Sequence, residues 1–391
     1  MKKQIGVLTA TRAEFGLLKP LIKRLIDEEF CDTKVLVTGA HLSPAFGYTY
    51  KEIEEAGIPI DVRIECVTEG DSPRDISNNM AMAMKGFGEY FEKNRLDLLI
   101  VLGDRYETLA VCIAAMNAEI PMAHIHGGEA TEGLIDEAVR HSITKMSQLH
   151  FVTTDVYRKR VIQMGEHPNR VFNVGALGAE NTKNTDFISC EDLGKDLGID
   201  LSGEYAVVTF HPVTLEENSG VEQVDRLMEA MDAFPQMKYI ITKANADAGG
   251  RRINMRIDDY AASHDNVVAV TSLGVRRYLS AVKGSVVVIG NSSSGIMEAP
   301  CLHVPTVNIG DRQKGRLMPD SVLCCEPDTQ EIIKTIKKAV SHDFREAVRN
   351  MTNPFGDGNT SARISDIIRK SFETQGKIPV MKAFYDIEVD A

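Results

Sequence analysis

Three stretches of this chain place carboxylates beside imidazole or guanidinium groups. Gly103-Asp104-Arg105 closes the apolar run Leu98–Leu102, and His124-Ile125-His126-Gly127-Gly128-Glu129 closes a second apolar run. Asp136-Glu137-Ala138-Val139-Arg140-His141 follows and opens a segment of helical character. Asp104, Glu129 and Glu137 form a candidate acid–base set, because neighbouring carboxylates separate their pKa values and one can be ionised while another is protonated. His124 and His126 alternate about Ile125, so both are expected on one face of a strand. Asp136 and Glu137 also suit the first turn of a helix, where acids are favoured.

A second chemistry is anion binding. Val286–Ile289 is an apolar run that opens into Gly290-Asn291-Ser292-Ser293-Ser294-Gly295-Ile296-Met297-Glu298. Backbone N–H groups and hydroxyls at the start of a helix, expected near Gly295, can hold phosphate. Glu298, one turn on, is an acceptor for paired sugar hydroxyls. The Lys-Ser/Thr pair of a P-loop is missing, and no G-x-G-x-x-G closes the first strand, which removes support for NAD. His211 ends the first strand of the second half and can give a proton to, or stabilise, a leaving phosphate. Arg312 follows a later strand and Arg12 follows the first one, so both are candidates to neutralise a diphosphate.

Short apolar runs bounded by glycine and separated by helical patterns position these groups. Such runs read as buried parallel strands. In the first half the runs are 5–10, 34–38, 61–67, 98–102, the stretch before His124, 149–152 and 171–174. Helices are expected from Leu17 to Glu29, from Tyr50 to Ala56, from Ile76 to Asn94 with Asp75 as cap, and from Val156 to Met164. Met80, Met82 and Met84 are expected as core filler. Polar, aperiodic Thr182–Ser189 is the expected linker. The alternation then restarts with strands at 205–210, 238–242, 267–270, 285–289 and 306–310, and with helices at 221–233, 251–262, 275–282, 329–340 and 361–372. The fold class is α/β: two Rossmann-like domains facing a central cleft, 1–185 and 186–370, with a tail at 371–391 that is either loose or packed on another subunit. Ligands in such sheets bind beyond the carboxyl ends of the strands, where the clusters above fall.

Composition agrees with this reading. The 391 residues exceed what one core usually holds, and 43% are hydrophobic and 26% charged. No apolar run reaches the roughly 18 residues of a membrane span, and no signal region precedes Ile5. The seven cysteines lack a zinc or disulfide spacing, so a reducing cytosol and no metal are expected. A net charge of −12 without a dense basic run argues against nucleic acid and an anionic membrane as partners, and neither is expected.

The ordered set of motifs resembles the hydrolysing UDP-N-acetylglucosamine 2-epimerases of sialic-acid biosynthesis, including the epimerase half of the animal bifunctional enzyme. The motifs begin with Arg12, Thr38-Gly39-Ala40-His41-Leu42, Gly47-Tyr48-Thr49-Tyr50 and Gly103-Asp104-Arg105. His124 to Glu129, Ile135-Asp136-Glu137 and Arg140 to Lys145 follow. Last come His211-Pro212-Val213-Thr214, Asn245 to Gly249, Gly290 to Glu298, Asn308-Ile309-Gly310 and Arg312-Gln313. The resemblance implies a GT-B-like fold and conversion of UDP-GlcNAc and water to UDP and ManNAc in the cytoplasm, with no cofactor and no metal. By motif, Arg12, Arg105, Asn245, Ser292, Ser293, Glu298 and Arg312 match nucleotide-binding positions. His211 matches the histidine beside the diphosphate, and Asp104 and Glu137 match acid–base positions. His41 and His126 join the substrate-binding set. The expected partner is the nucleotide sugar, and the expected assembly a homo-oligomer, dimer or tetramer.

Two departures stand out. The animal enzyme has a glutamate where this chain has His126, so C2 proton transfer falls to Glu129, Glu137, Asp104 or His126 itself. The arginines of its CMP-sialic acid feedback site are replaced by Met255 and Asp258, so that inhibition is not expected here. The alternatives are a related hydrolysing enzyme acting on a GDP-linked or 2,4-diacetamido sugar nucleotide, as in legionaminic-type pathways, and a non-hydrolysing 2-epimerase. A GT-B glycosyltransferase and a sugar-nucleotide sensor complete the set. The glutamate-bearing His-x-Glu-Ala-Gly motif of the non-hydrolysing group is absent.

Overall fold

The computed structural model describes residues 2–68, 70, 72–131, 135–211, 219–244 and 250–388. The chain divides into two units, Met1–Asn181 with Gly356–Ala391, and Thr182–Phe355. Each is an α/β unit on a parallel sheet, the class expected from the alternation of runs.

The first unit carries strands β1 (Lys3–Thr9), β2 (Cys31–Thr38), β3 (Val62–Ile64), β4 (Leu98–Leu102), β5 (Met122–Ile125), β6 (Leu149–Val152) and β7 (Val171–Asn173). Their order in the sheet is β3-β2-β1-β4-β5-β6-β7, and every pairing is parallel. The order reverses between β1 and β4. The loops after these two strands therefore diverge and leave a crevice at their carboxyl ends, the place where such sheets bind ligands. Arg12 follows β1, and Asp104 and Arg105 follow β4.

The second unit repeats the plan with β8 (Tyr205–Thr209), β9 (Lys238–Thr242), β10 (Val267–Val270), β11 (Val287–Gly290), β12 (Thr306–Ile309) and β13 (Val322–Cys325). The order is β10-β9-β8-β11-β12-β13, again all parallel. Its reversal lies between β8 and β11, which lead to His211 and to the serine loop.

Several boundaries differ from the sequence reading. The first helix spans Arg12–Asp27 rather than 17–29, because Thr11 accepts from the Glu14 N–H and Glu14 reaches back to the Thr11 N–H. That reciprocal cap satisfies two helix-end donors and places Arg12 in the first turn. Ser72, with Asp75, caps the helix Pro73–Lys93 in the same way. Only Met80 of the three methionines packs inward, while Met82 and Met84 are exposed. Helix Leu177–Asn184 occupies part of the expected linker, and β13 and the helix His342–Asn350 were not anticipated.

The larger correction concerns the C-terminus. The second unit was expected to run to residue 370, yet the chain returns to the first unit at Gly356. The helix Thr360–Gln375 places Ile364, Ile368 and Phe372 in the same core as Leu18, Leu21, Ile22 and Leu25. Burying each such side chain is worth about 1.5–3 kcal/mol, which outweighs sequence proximity. The tail beyond it packs on its own unit: Tyr385 N–H donates to the Gly165 carbonyl at 2.9 Å. Among the described residues no helix is long and apolar enough to cross a membrane. All seven cysteines are free thiols.

Candidate active site

Arg140, only 2% exposed, organises the acidic residues of the first unit. Its Nε donates to Asp104 Oδ2 at 2.9 Å and its second terminal nitrogen bonds the same oxygen. The first terminal nitrogen donates to Glu137 Oε2 at 2.6 Å and to the Glu129 carbonyl at 2.9 Å, and the second also donates to Thr131 Oγ1 at 2.8 Å. A buried guanidinium is tolerated only when its donors are used, and here Nε and both terminal nitrogens are. Burial opposes its charge, but Asp104 first, then Glu129 and Glu137, more than restore it. Burial likewise pushes Glu137 up, and the Thr131 N–H at 2.8 Å, Arg140 and His141 together hold it below the usual carboxylate range. Two of the three expected acid–base residues, Asp104 and Glu137, thus share one cation.

Glu129 is buried elsewhere in the network. Thr153 Oγ1 donates to its Oε1 at 3.4 Å, and His126 Nδ1 lies 3.7 Å from the same oxygen. The expectation that His124 and His126 share a strand face fails, because β5 ends at Ile125 and His126 has φ 67°. His126 turns to Glu129, whereas His124 lies between the Gly103 carbonyl at 2.8 Å and Thr144 Oγ1 at 3.0 Å. Burial pulls His124 down to about 3, which keeps it neutral and structural.

At the β1–β4 reversal, exposed Arg12 starts its helix and Arg105 grips Glu107 through two bonds of 3.1 and 3.0 Å. Glu107 is fully buried, so Arg105 is fixed in direction and keeps its charge. Buried Glu14 accepts from the Ala10 and Thr11 N–H groups at 2.9 and 3.0 Å, and burial pushes its carboxyl to about 7. His41 was expected to touch substrate. It is instead fully buried, with Nε2 3.0 Å from Thr9 Oγ1 and Nδ1 2.8 Å from Thr49 Oγ1. Burial lowers it to about 4, so a neutral ring braces the end of β1 against the Tyr48-Thr49 turn.

In the second unit Asn291 stands in for a backbone partner. Its Oδ1 accepts from His211 N–H at 2.8 Å and its Nδ2 donates to the His211 carbonyl at 2.8 Å. Its own carbonyl accepts from Arg312 at 3.1 Å and from Gln313 at 2.9 Å. The residue before it must be glycine: Gly290 has φ 133°, and a Cβ there would lie 1.9 Å from the Thr209 carbonyl oxygen. His211, Ser292, Ser293 and Arg312 are therefore gathered around the β8–β11 reversal. The expected helix after the serines is a single turn, Ser294–Met297, followed by the tighter turn Ala299–Leu302. Its dipole is correspondingly small, so ligand binding here rests on local N–H and hydroxyl donors. Burial pushes the Glu298 carboxyl up against the pull of Arg316. Asn245 lies outside the described residues, as do Pro212 to Thr214.

Sequence reasoning left Arg140, Glu107, Glu14 and Asn291 without roles. Thr11-x-x-Glu14 is a legible capping signature, and Glu137 three residues before Arg140 a legible helix pair. Among the described residues no group of three His, Cys, Asp or Glu side chains is placed to hold a metal ion.

The family model described as UDP-N-acetylglucosamine 2-epimerase matches residues 23–369. The chain is 38% identical over 346 residues to a GDP/UDP-N,N'-diacetylbacillosamine 2-epimerase (hydrolyzing) of Campylobacter jejuni, covering 88% of this chain and 89% of that protein. It is also 38% identical over 386 residues to polysialic acid biosynthesis protein P7 of Escherichia coli, covering 98% of each. Among solved structures, the UDP-GlcNAc 2-epimerase from Neisseria meningitidis bound to UDP-GlcNAc superposes with TM-score 0.80 at 20% identity, covering 94% of this chain and 100% of that one.

Proposed function

The chain belongs to the UDP-N-acetylglucosamine 2-epimerase family, and we propose that it is a hydrolysing member that converts UDP-GlcNAc and water to ManNAc and UDP for sialic-acid synthesis. The observation that carries this reading is the single buried guanidinium shared by Asp104 and Glu137. Protonating one carboxylate leaves the other to compensate Arg140, so the pair can hold one proton at a time without stranding a charge.

The chemistry needs such a pair. The C2 hydrogen of the sugar is poorly acidic, so the C1–O bond to UDP breaks first or in concert and its electrons leave with UDP. His211, Arg12 and Arg312 stabilise the departing diphosphate, while Ser292, Ser293, Arg105, Glu298 and Asn245 hold the nucleotide. A carboxylate takes the C2 proton and a C1=C2 double bond forms, giving 2-acetamidoglucal. Water then bonds to C1, losing a proton to a carboxylate, and C2 is protonated from the other face. Asp104 and Glu137 are the first choice for these transfers, with Glu129 and its neighbour His126 next in the same network. No step draws on a cofactor.

A second reading concerns the sugar. The 38% identity to an enzyme named for GDP/UDP-N,N'-diacetylbacillosamine supports a 2,4-diacetamido substrate on either nucleotide, with the same elimination and hydration.

The deciding experiment is a panel of UDP- and GDP-sugars followed by NMR in D₂O and H₂¹⁸O. Free ManNAc from UDP-GlcNAc, with deuterium at C2 and ¹⁸O at C1, is the expected result. Turnover about tenfold faster on a diacetamido sugar transfers the assignment to the second reading. UDP-ManNAc without free sugar makes the enzyme non-hydrolysing.

A further inference from the structure

The helix Asp136–Met146 carries Glu137 and Arg140 towards its start and is tied down at its other end by the C-terminal segment. Lys145, on that helix, donates to Glu166 Oε1 at 2.6 Å, and Lys382 donates to Glu166 Oε2 at 2.7 Å. His150 Nε2 lies 3.0 Å from the same carboxylate, which is 1% exposed. Lys382 also donates to the carbonyl of Ser147, the C-cap of the helix, at 2.6 Å. A cation there answers both the open carbonyls and the negative end of the helix dipole. Gln148 Nε2 donates to the Val380 carbonyl at 3.2 Å while its Oε1 accepts from the first residue of β5, Met122, at 2.7 Å. Phe384 packs against Gly165, where a Cβ would come within 2.2 Å of the ring, and the Lys145 ammonium sits 4.9 Å from the centroid of that ring. Tyr385 adds an edge contact to His167 at 5.0 Å between ring centroids.

We propose that residues 380–385 form a strap, and that Lys382 is a positioning residue that fixes the helix Asp136–Met146 and through it Arg140 with its two carboxylates. The proposal rests on the acid–base role given to Asp104 and Glu137. The physical case is one of lever and anchor. Arg140 meets oxygens of four residues at once, a match that a helix free to slide or rock by about 1 Å would lose, and such misplacement costs up to about 10²-fold in rate. The buried Glu166 carboxylate must keep its cations, so the strap is held by electrostatics as well as by contact.

The test uses the full-length chain with Lys382→Met, Lys382→Arg and the double variant Lys382→Met/Phe384→Ala. Glu166 keeps Lys145 and His150 in Lys382→Met, so this single variant carries the test even if the double variant fails to fold. The expected result is a kcat lowered about tenfold or more with KM within about twofold, restored by Lys382→Arg. Amide exchange should rise about tenfold across 139–147 and stay unchanged in Gly274–Gly284 of the second unit. An unchanged kcat, or a loss that appears in KM alone, overturns the proposal. If the unaltered enzyme turns over no nucleotide sugar, giving neither free sugar nor an epimerised sugar nucleotide, the acid–base reading falls and exchange alone decides: faster exchange upholds the strap, unchanged exchange overturns it.

Discussion

His211 and Asn291 hold each other through a reciprocal pair of hydrogen bonds, backbone N–H to side-chain oxygen and side-chain amide to backbone carbonyl. The geometry copies one rung of a sheet just beyond the ends of β8 and β11, where the ladder has stopped. It fixes the backbone of the histidine assigned to the diphosphate.

Asn291→Ala should strand a buried N–H and a buried carbonyl at once. Each unpaired group costs about 1–3 kcal/mol. Urea unfolding should show that loss, and kcat should fall with it. Asn291→Asp keeps the acceptor only and should lie between. Equal stability of Asn291→Ala and the unaltered chain would show that His211 is held by other means.

Arg140→Met should lower kcat by about 10² or more, the scale of general acid–base catalysis, because both carboxylates lose their shared cation. Arg140→Lys should not restore it, since a single ammonium cannot reproduce the planar fork that meets oxygens of Asp104, Glu129, Thr131 and Glu137 together. UDP affinity by calorimetry should change little, because Arg140 and its two carboxylates are not among the residues assigned to the nucleotide. A fully active Arg140→Lys would reduce the network to simple charge balance.

Glu298→Ala should weaken UDP binding. Losing one charge-assisted hydrogen bond to a ribose costs on the order of 1.5–3 kcal/mol. Calorimetry with UDP alone isolates this from catalysis, and an unchanged affinity removes Glu298 from the site.

Glu14 gives a stability prediction with a definite sign. Burial raises its carboxyl from 4.5 to about 7 in the folded chain. The folded state therefore holds the proton more tightly than the unfolded state. Its contribution is fully present below about pH 4.5 and is lost as pH rises through about 7. A shift of that size corresponds to on the order of 3 kcal/mol. Glu14→Gln keeps an acceptor for the Ala10 and Thr11 N–H groups and cannot ionise, so relative to the unaltered chain it should gain stability between pH 5 and pH 8. Urea denaturation at the two pH values reads the difference, and parallel curves would contradict the buried-carboxyl account.

Much of the architecture was legible before folding is considered. Val286–Ile289 reads as a buried strand because an unbroken β-branched run suits a parallel sheet covered on both faces. Gly290 reads as the start of a loop because it ends that run before Asn291 and three serines, and the structure gives it φ 133°, a value that favours glycine. The placement of Asp104, Arg105, His211 and Ser292 at strand ends follows from counting residues along each run. These inferences work because strand and helix periodicity is a local property of the chain, set by which neighbours face the core.

Partnership between distant residues is a different matter. Arg140 and Asp104 lie 36 positions apart, and nothing in either segment states that one guanidinium will meet both Asp104 and Glu137. His41 looked like a ligand group until Thr9 and Thr49 closed on both its nitrogens. The helix Thr360–Gln375 looked like the end of the second unit, and it returns to the first because its apolar stripe completes the core beside Leu18 and Ile22. Such choices depend on how whole elements pack and on which buried charge has no other compensation. Periodicity along the chain carries the elements, while the free energy of burying charge and apolar surface together selects the contacts between them.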